Sequence, residues 1–196
     1  MKRAGMMKCA GQAWLIAWAL IFICSSHGVA AEWTHEGMAD EGRWTAGFRV
    51  GPSFITQGGA LLDTTGPALN FQALYGINRW FRLGSMLEWE NHGFDRRSGS
   101  LDTVTLLPLM LEYRPGRFGA VIPYVSTGIG VNINSNDVED SFAWRTAGGM
   151  DYALTNWFPN APKGLMLNTE VAWKRNTIEA DEASALTMLF GVRQTF

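Results

Sequence analysis

The feature that most constrains this chain is where its charges fall. From Arg43 to Phe196 the sequence is a succession of alternating segments, in which charged residues keep one parity and large apolar residues the other. A period of two is the mark of strands with two unlike faces. Eight segments show it: Arg43–Phe54, Pro67–Ile77, Trp80–Asn91, Thr103–Arg114, Val121–Asn134, Phe142–Leu154, Gly164–Arg175 and Ala185–Phe196. The apolar parity holds residues such as Phe48, Phe71, Leu87, Leu107, Leu109, Ile129, Val171 and Phe190. The other holds Arg43, Arg49, Arg82, Glu88, Glu90, Glu112, Arg114, Arg145, Asp151, Glu170, Lys174 and Arg193. Arg175, at a loop rim, is the exception.

A soluble β-sandwich buries its apolar faces against one another. A membrane barrel turns them outward and must keep charges inside, since a basic side chain facing lipid near mid-membrane costs about 2–4 kcal/mol. The observed segregation fits the barrel. Segments of this length cross a bilayer at the tilt of a barrel strand, and an even number of them closes with both ends on one side. Turn signals sit where short connections are needed, at Asn78-Arg79 and Pro115-Gly116. Longer polar connections follow the first, third, fifth and seventh segments, and the turn after the sixth, Thr155–Lys163, is longer than the rule expects. Aromatic residues gather at segment ends, with Trp44, Trp80, Phe81, Tyr113, Tyr152, Trp157 and Phe196 toward the terminal side. Phe54, Trp89, Phe142, Trp144 and Trp173 lie toward the other. They form the two interfacial girdles of such a fold. The expected fold is therefore all-β: an eight-stranded, antiparallel, up-and-down transmembrane β-barrel over 43–196.

The amino terminus reads differently. Lys2, Arg3 and Lys8 precede an apolar run, Ala13–Ile23, and Val29-Ala30-Ala31 supplies small residues for cleavage. The run is too short to span a bilayer as a helix, so 1–31 is read as a cleaved signal peptide. Ile23 stands where a lipoprotein would place a small residue before Cys24. Cys9 and Cys24 both fall in this segment, which excludes disulfides and thiolate chemistry from the remainder. Residues 32–42, EWTHEGMADEG, read as a short periplasmic tail. The segment 1–31 carries three of the 16 basic residues and none of the 18 acidic ones, so the remaining chain carries −5. A mildly acidic exported chain has no electrostatic case for nucleic acid. After residue 31 no apolar run is long enough for a transmembrane helix, which leaves a closed barrel as the way into a bilayer.

The stretches IPYVSTGIGVNIN, FAWRTAGGMDYALT and the terminal LFGVRQTF resemble the small outer-membrane β-barrel domain family of Gram-negative bacteria. Its members include opacity-type proteins, X-type and W-type barrels and the barrel half of A-type porins. The resemblance covers the chain after residue 31 and is specific for fold rather than function. It implies residence in the outer membrane, among its lipids and lipopolysaccharide, and a monomer is the expected state. It also implies that Phe196 is an assembly signal, read by the barrel-assembly machinery.

Four places carry candidate chemistry. The interior set, Arg49, Arg82, Glu88, Glu90, Glu112, Arg145, Asp151, Glu170, Lys174 and Arg193 with Arg43 and Arg114, nearly balances in sign. An eight-stranded interior is just filled by its side chains, so the set is either a salt-bridged plug or a narrow conduit gated by its pairs. The remaining histidines, His35 and His92, offer little for hydrolysis. Lipid A deacylases of similar fold carry a His-x-Ser pair near the carboxyl end, which this chain lacks, and His92 reads as a solvated loop residue near Asp95, Ser98 and Ser100. The acidic loops Asp137/Glu139/Asp140 and Glu179/Asp181/Glu182 read as solvated runs with no metal-loop spacing. Met86, Met110 and Met166, with Leu74, Leu106 and Leu189, line the inner parity as packing or as a greasy pocket. No cofactor, metal site or catalytic residue is expected. The expected function is a non-enzymatic barrel contributing to envelope integrity or surface interaction. A narrow channel for small solutes, hydrophobic ones included, is the alternative, and a lipid-modifying enzyme the third.

Overall fold

The computed structural model describes residues 33–34, 40–57, 63–94, 98–135, 140–178 and 181–196. The expected signal peptide, Asp95, Asp137, Glu139 and Glu179 lie outside them. Eight long strands follow in order: β1 Trp44–Gln57, β2 Thr65–Gly76, β3 Phe81–Gly93, β4 Ser100–Tyr113, β5 Val121–Asn134, β6 Ser141–Ala153, β7 Leu165–Ile178 and β8 Asp181–Thr195. Each pairs antiparallel with its sequence neighbours, and β8 pairs with β1, so the sheet closes into the expected barrel. A two-residue strand, Trp33–Thr34, pairs with another, Arg117–Phe118, in the β4–β5 turn. Among the described residues no helix is long and apolar enough to cross a membrane.

Local chemistry explains the short turns. Asn78 Oδ1 accepts hydrogen bonds from the backbone N–H groups of Trp80 (2.8 Å) and Phe81 (2.9 Å), which reverses the chain between β2 and β3. The longer β6–β7 connection contains a 3-10 turn, Leu154–Asn156. Closure at the seam reaches the last residue, whose N–H donates to the Trp44 carbonyl at 2.9 Å.

The outer face is apolar in every strand, with Phe48, Phe71, Leu87, Leu109, Ile129, Val171 and Phe190 among its exposed residues. Girdle aromatics stack across strands, as Trp44 on Tyr75 and Phe81 on Tyr113, each with ring centroids 5.2 Å apart. At the opposite end Trp144 meets Trp173 edge-on at 6.1 Å.

Strict alternation fails near the start of β8, where Ser184 and Ala185 are both buried beside a register shift, and in β4; four residues change sides from expectation. Leu107 is fully buried in the lumen, whereas Leu106 is 40% exposed; Pro108 is exposed too. The cause is a bulge. Met86 pairs with Leu107 but Gly84 with Met110, and Val131 pairs with Leu106 but Ile129 with Leu109. β4 thus holds one residue more than either neighbour, at Pro108, which has no N–H to give a ladder. Beyond the bulge the expected parity returns. The fourth, Arg43, precedes β1 and is exposed rather than inward. Trp80 also departs from its girdle: it packs against inward Ile122 and Met166.

Candidate functional site

The lumen holds an ordered set of charges. Toward the end where β1 begins and β8 finishes, six groups form a ring of alternating sign. Arg114 Nη1 lies 2.5 Å from Asp40 Oδ2, and Arg82 pairs with the same oxygen. Arg114 Nη2 then reaches Asp151 Oδ2 at 2.7 Å, and Arg193 Nη1 reaches that oxygen at 3.1 Å. Arg193 Nη2 approaches Glu112 Oε2 at 2.9 Å as an ion contact off hydrogen-bond geometry. Arg82 Nη1 to Glu112 Oε1, at 3.5 Å, closes the ring.

Further along the barrel a second alternating chain runs Arg49, Glu170, Arg145, Glu88, Lys174, Glu90, with successive contacts of 2.5, 2.6, 3.3, 3.2 and 2.5 Å. Glu90 also accepts from Ser53 Oγ at 2.8 Å and Thr187 Oγ1 at 3.1 Å. Neutral side chains join the two systems. Asn168 donates to Asp151 Oδ1 at 2.7 Å and accepts from Arg49 at 3.3 Å. Tyr124 donates to Glu170 at 2.8 Å and lies beneath the Arg193 guanidinium, 4.2 Å from its ring centre. Within the second chain, Asn70 accepts from Arg49 at 2.6 Å and donates to Glu88 at 2.9 Å. Beside these groups Leu74, Met86, Leu107, Met110 and Ala143 pack together as an apolar cluster.

The register explains how so many cations fit. Arg49 on β1 pairs with Gly191 on β8, and Gly47 with Arg193. A Cβ on Gly47 would stand 3.0 Å from Arg193 Cγ, and one on Gly191 2.9 Å from Arg49 Cγ. Gly47 leaves room for the Arg193 stem and the Gln72 side chain beside it, whereas a Cβ on Gly191 would first meet the Phe48 carbonyl oxygen, at 2.0 Å. Arg145 and Lys174 are direct cross-strand partners, an unfavourable like-charge pair by itself. Glu88 reaches across from β3 and contacts both. Burying charges is costly unless each is paired and hydrogen-bonded. Each chain meets the pairing condition with three cations and three anions, while the Nε atoms of Arg82, Arg114, Arg145 and Arg193 make no hydrogen bond.

No family model and no curated protein matches the chain. Solved structures do match it. Outer membrane protein OprG of Pseudomonas aeruginosa superposes with a TM-score of 0.55 at 16% identity, over 80% of this chain and 97% of OprG. Neisserial surface protein A gives 0.57 at 15%, over 80% and 98%. Ail, the attachment invasion locus protein of Yersinia pestis, gives 0.50 at 13%, over 78% and 99%. The chain has the fold of the small outer-membrane β-barrels. That fold, the apolar belt and the charged lumen together place the protein in the outer membrane.

Within this barrel all ten interior residues singled out from sequence are buried, and they divide between the ring and the chain described above. Arg114 joins them and Arg43 does not. Asp40, Tyr124, Asn70 and Asn168 were not singled out. Asn70, Tyr124 and Asn168 sit on the inner parity, a signal open to sequence reading. Asp40 lies before the first strand, where alternation says nothing. Its inclusion and the loss of Arg43 turn a near-balance into six cations and six anions among the described residues.

His92 is not a solvated loop residue. β3 extends past Asn91, and its parity turns the imidazole inward, where Nδ1 lies 3.3 Å from the Asp63 carbonyl. The inward methionines, read as packing or as the lining of a greasy pocket, are buried; Met86 and Met110 pack with Leu74, while Leu106 faces outward. Phe196 is 71% exposed at the girdle beside Trp44.

Proposed function

We propose that this protein is a closed, non-conducting and non-enzymatic barrel that contributes to envelope integrity or surface interaction. The observation that carries the reading is the lumen of two neutral, alternating ion-pair chains. A gate needs a charge with two alternative partners of similar energy. Here five of the six carboxylates already touch two or more cations. Moving Lys174 would leave Glu90, and moving Glu170 would leave Arg49, buried without an ion partner, at a cost of about 3–5 kcal/mol. In this reading lipopolysaccharide and phospholipid are the partners of the apolar belt. Phe196 is the feature that the barrel-assembly machinery reads: its ring is free of the lumen, and its backbone closes the seam. The test is single-channel recording in planar bilayers on heat-modifiable, folded protein. A silent bilayer is the expected result. Reproducible conductance steps would transfer the function to a narrow channel.

A further inference from the structure

Asp40 differs from the other five lumen carboxylates. Its side chain keeps 21% of its surface exposed, whereas theirs keep 1% or less. It also comes from no barrel strand. It is carried into the mouth by the turn Asp40–Arg43, in which the Arg43 N–H donates to the Asp40 carbonyl at 3.0 Å and Gly42 has φ 74°, the glycine position of a type II turn. The turn is seated on the end of β2: Gly42 N–H donates to Gly76 O at 2.9 Å, and a Cβ on Gly76 would stand 1.8 Å from Asp40 O. Two guanidinium groups from different places, Arg82 on β3 and Arg114 just past β4, converge on one oxygen of this carboxylate. Without Asp40 the ring would keep Arg82, Arg114 and Arg193 against only Glu112 and Asp151.

We propose that Arg82 and Arg114 form an anion site at the terminal mouth of the barrel, that Asp40 is its tethered ligand, and that a free carboxylate takes the site when Asp40 cannot. Planar guanidinium donors match carboxylate oxygens in geometry as well as charge. The inference goes beyond the closed-lumen reading and stands apart from it, since a conducting barrel would carry the same site.

The test uses the full chain refolded with Asp40→Asn, a neutral side chain of the same size. Its unfolding midpoint, read by heat-modified gel migration, is followed as acetate replaces chloride at constant ionic strength, which holds screening fixed. The expected result is a lower midpoint in chloride, most of it regained in acetate with saturation. The wild type stays insensitive, and adding Arg114→Gln removes the gain. If Asp40→Asn does not fold in chloride, acetate is expected to restore its refolding yield. Gly76→Ala, which displaces the turn and leaves every charge in place, is expected to show the same acetate dependence. Acetate stands for a free organic acid, and acetyl-glycyl-glycine for a chain terminus of the same chemistry; the one with the lower half-saturation is the better-fitting source. A midpoint or refolding yield of Asp40→Asn that acetate shifts no more than it shifts the wild type would overturn the proposal.

Discussion

Neutralising Glu170 puts the lumen under a defined load. Its carboxylate contacts Arg49 at 2.5 Å and Arg145 at 2.6 Å and accepts from Tyr124 Oη at 2.8 Å, with no side-chain surface open to water. Glu170→Gln keeps the shape and one acceptor oxygen but leaves three cations facing two anions. Removing one member of a buried ion pair costs about 3–5 kcal/mol, because the partner stays buried without compensation. An exposed pair would cost about 1 kcal/mol or less. The two cases are well separated in a urea unfolding curve followed by tryptophan fluorescence in phospholipid vesicles. The second arm is Glu170→Gln with Arg145→Gln, which returns the chain to two cations and two anions. The double variant is expected to be more stable than the single one, with a coupling of about 0.5–3 kcal/mol. A single-variant cost near 1 kcal/mol that shrinks with salt would refute the reasoning, because it would mean a hydrated, screened lumen. So would simple addition of the two losses.

Three further outcomes follow from the wall and seam. Leu87→Arg, mid-strand on the outer face, should cost about 2–4 kcal/mol in the same unfolding assay, while Arg43→Ala should leave the curve unchanged. Deleting Pro108 should be tolerated in refolding, because it removes the bulge and keeps Leu107 in, Leu109 out and Met110 in; deleting Leu111 should abolish folding by turning Glu112 toward lipid. Deleting Phe196 should impair assembly in cells much more than refolding in detergent, and equal losses would mean that the residue acts by packing alone.

Much of the wall was legible because parity is a local property. Arg49, Glu88, Glu170 and Arg193 could be placed inside from their nearest neighbours in sequence. The β4 bulge was not legible, since two registers fit the run Leu106-Leu107-Pro108-Leu109 equally well and only pairing with both neighbours selects one. His92 was misplaced because element ends are set by pairing partners beyond the alternating run. The pairing of the lumen was legible only in part. Arg82 and Glu112 face each other on adjacent strands, but Glu88 meets Arg145 and Lys174 across the barrel, a distance no local pattern encodes. Asp40 was invisible for a further reason: an acidic residue in a polar tail looks solvated until the cations it neutralises are in place.

A filled and closed lumen shields its inward side chains from reagents dissolved in water. Ser126 tests this most directly, being an inward residue on β5, 4% exposed, opposite Glu112. Ser126→Cys is nearly isosteric, and with Cys9 and Cys24 replaced by serine it is the one thiol in the chain. A small charged methanethiosulfonate reagent, applied to the folded barrel in vesicles, should leave this thiol unmodified and should label it fully after unfolding. Labelling in the folded state at the rate of an exposed thiol would contradict the account.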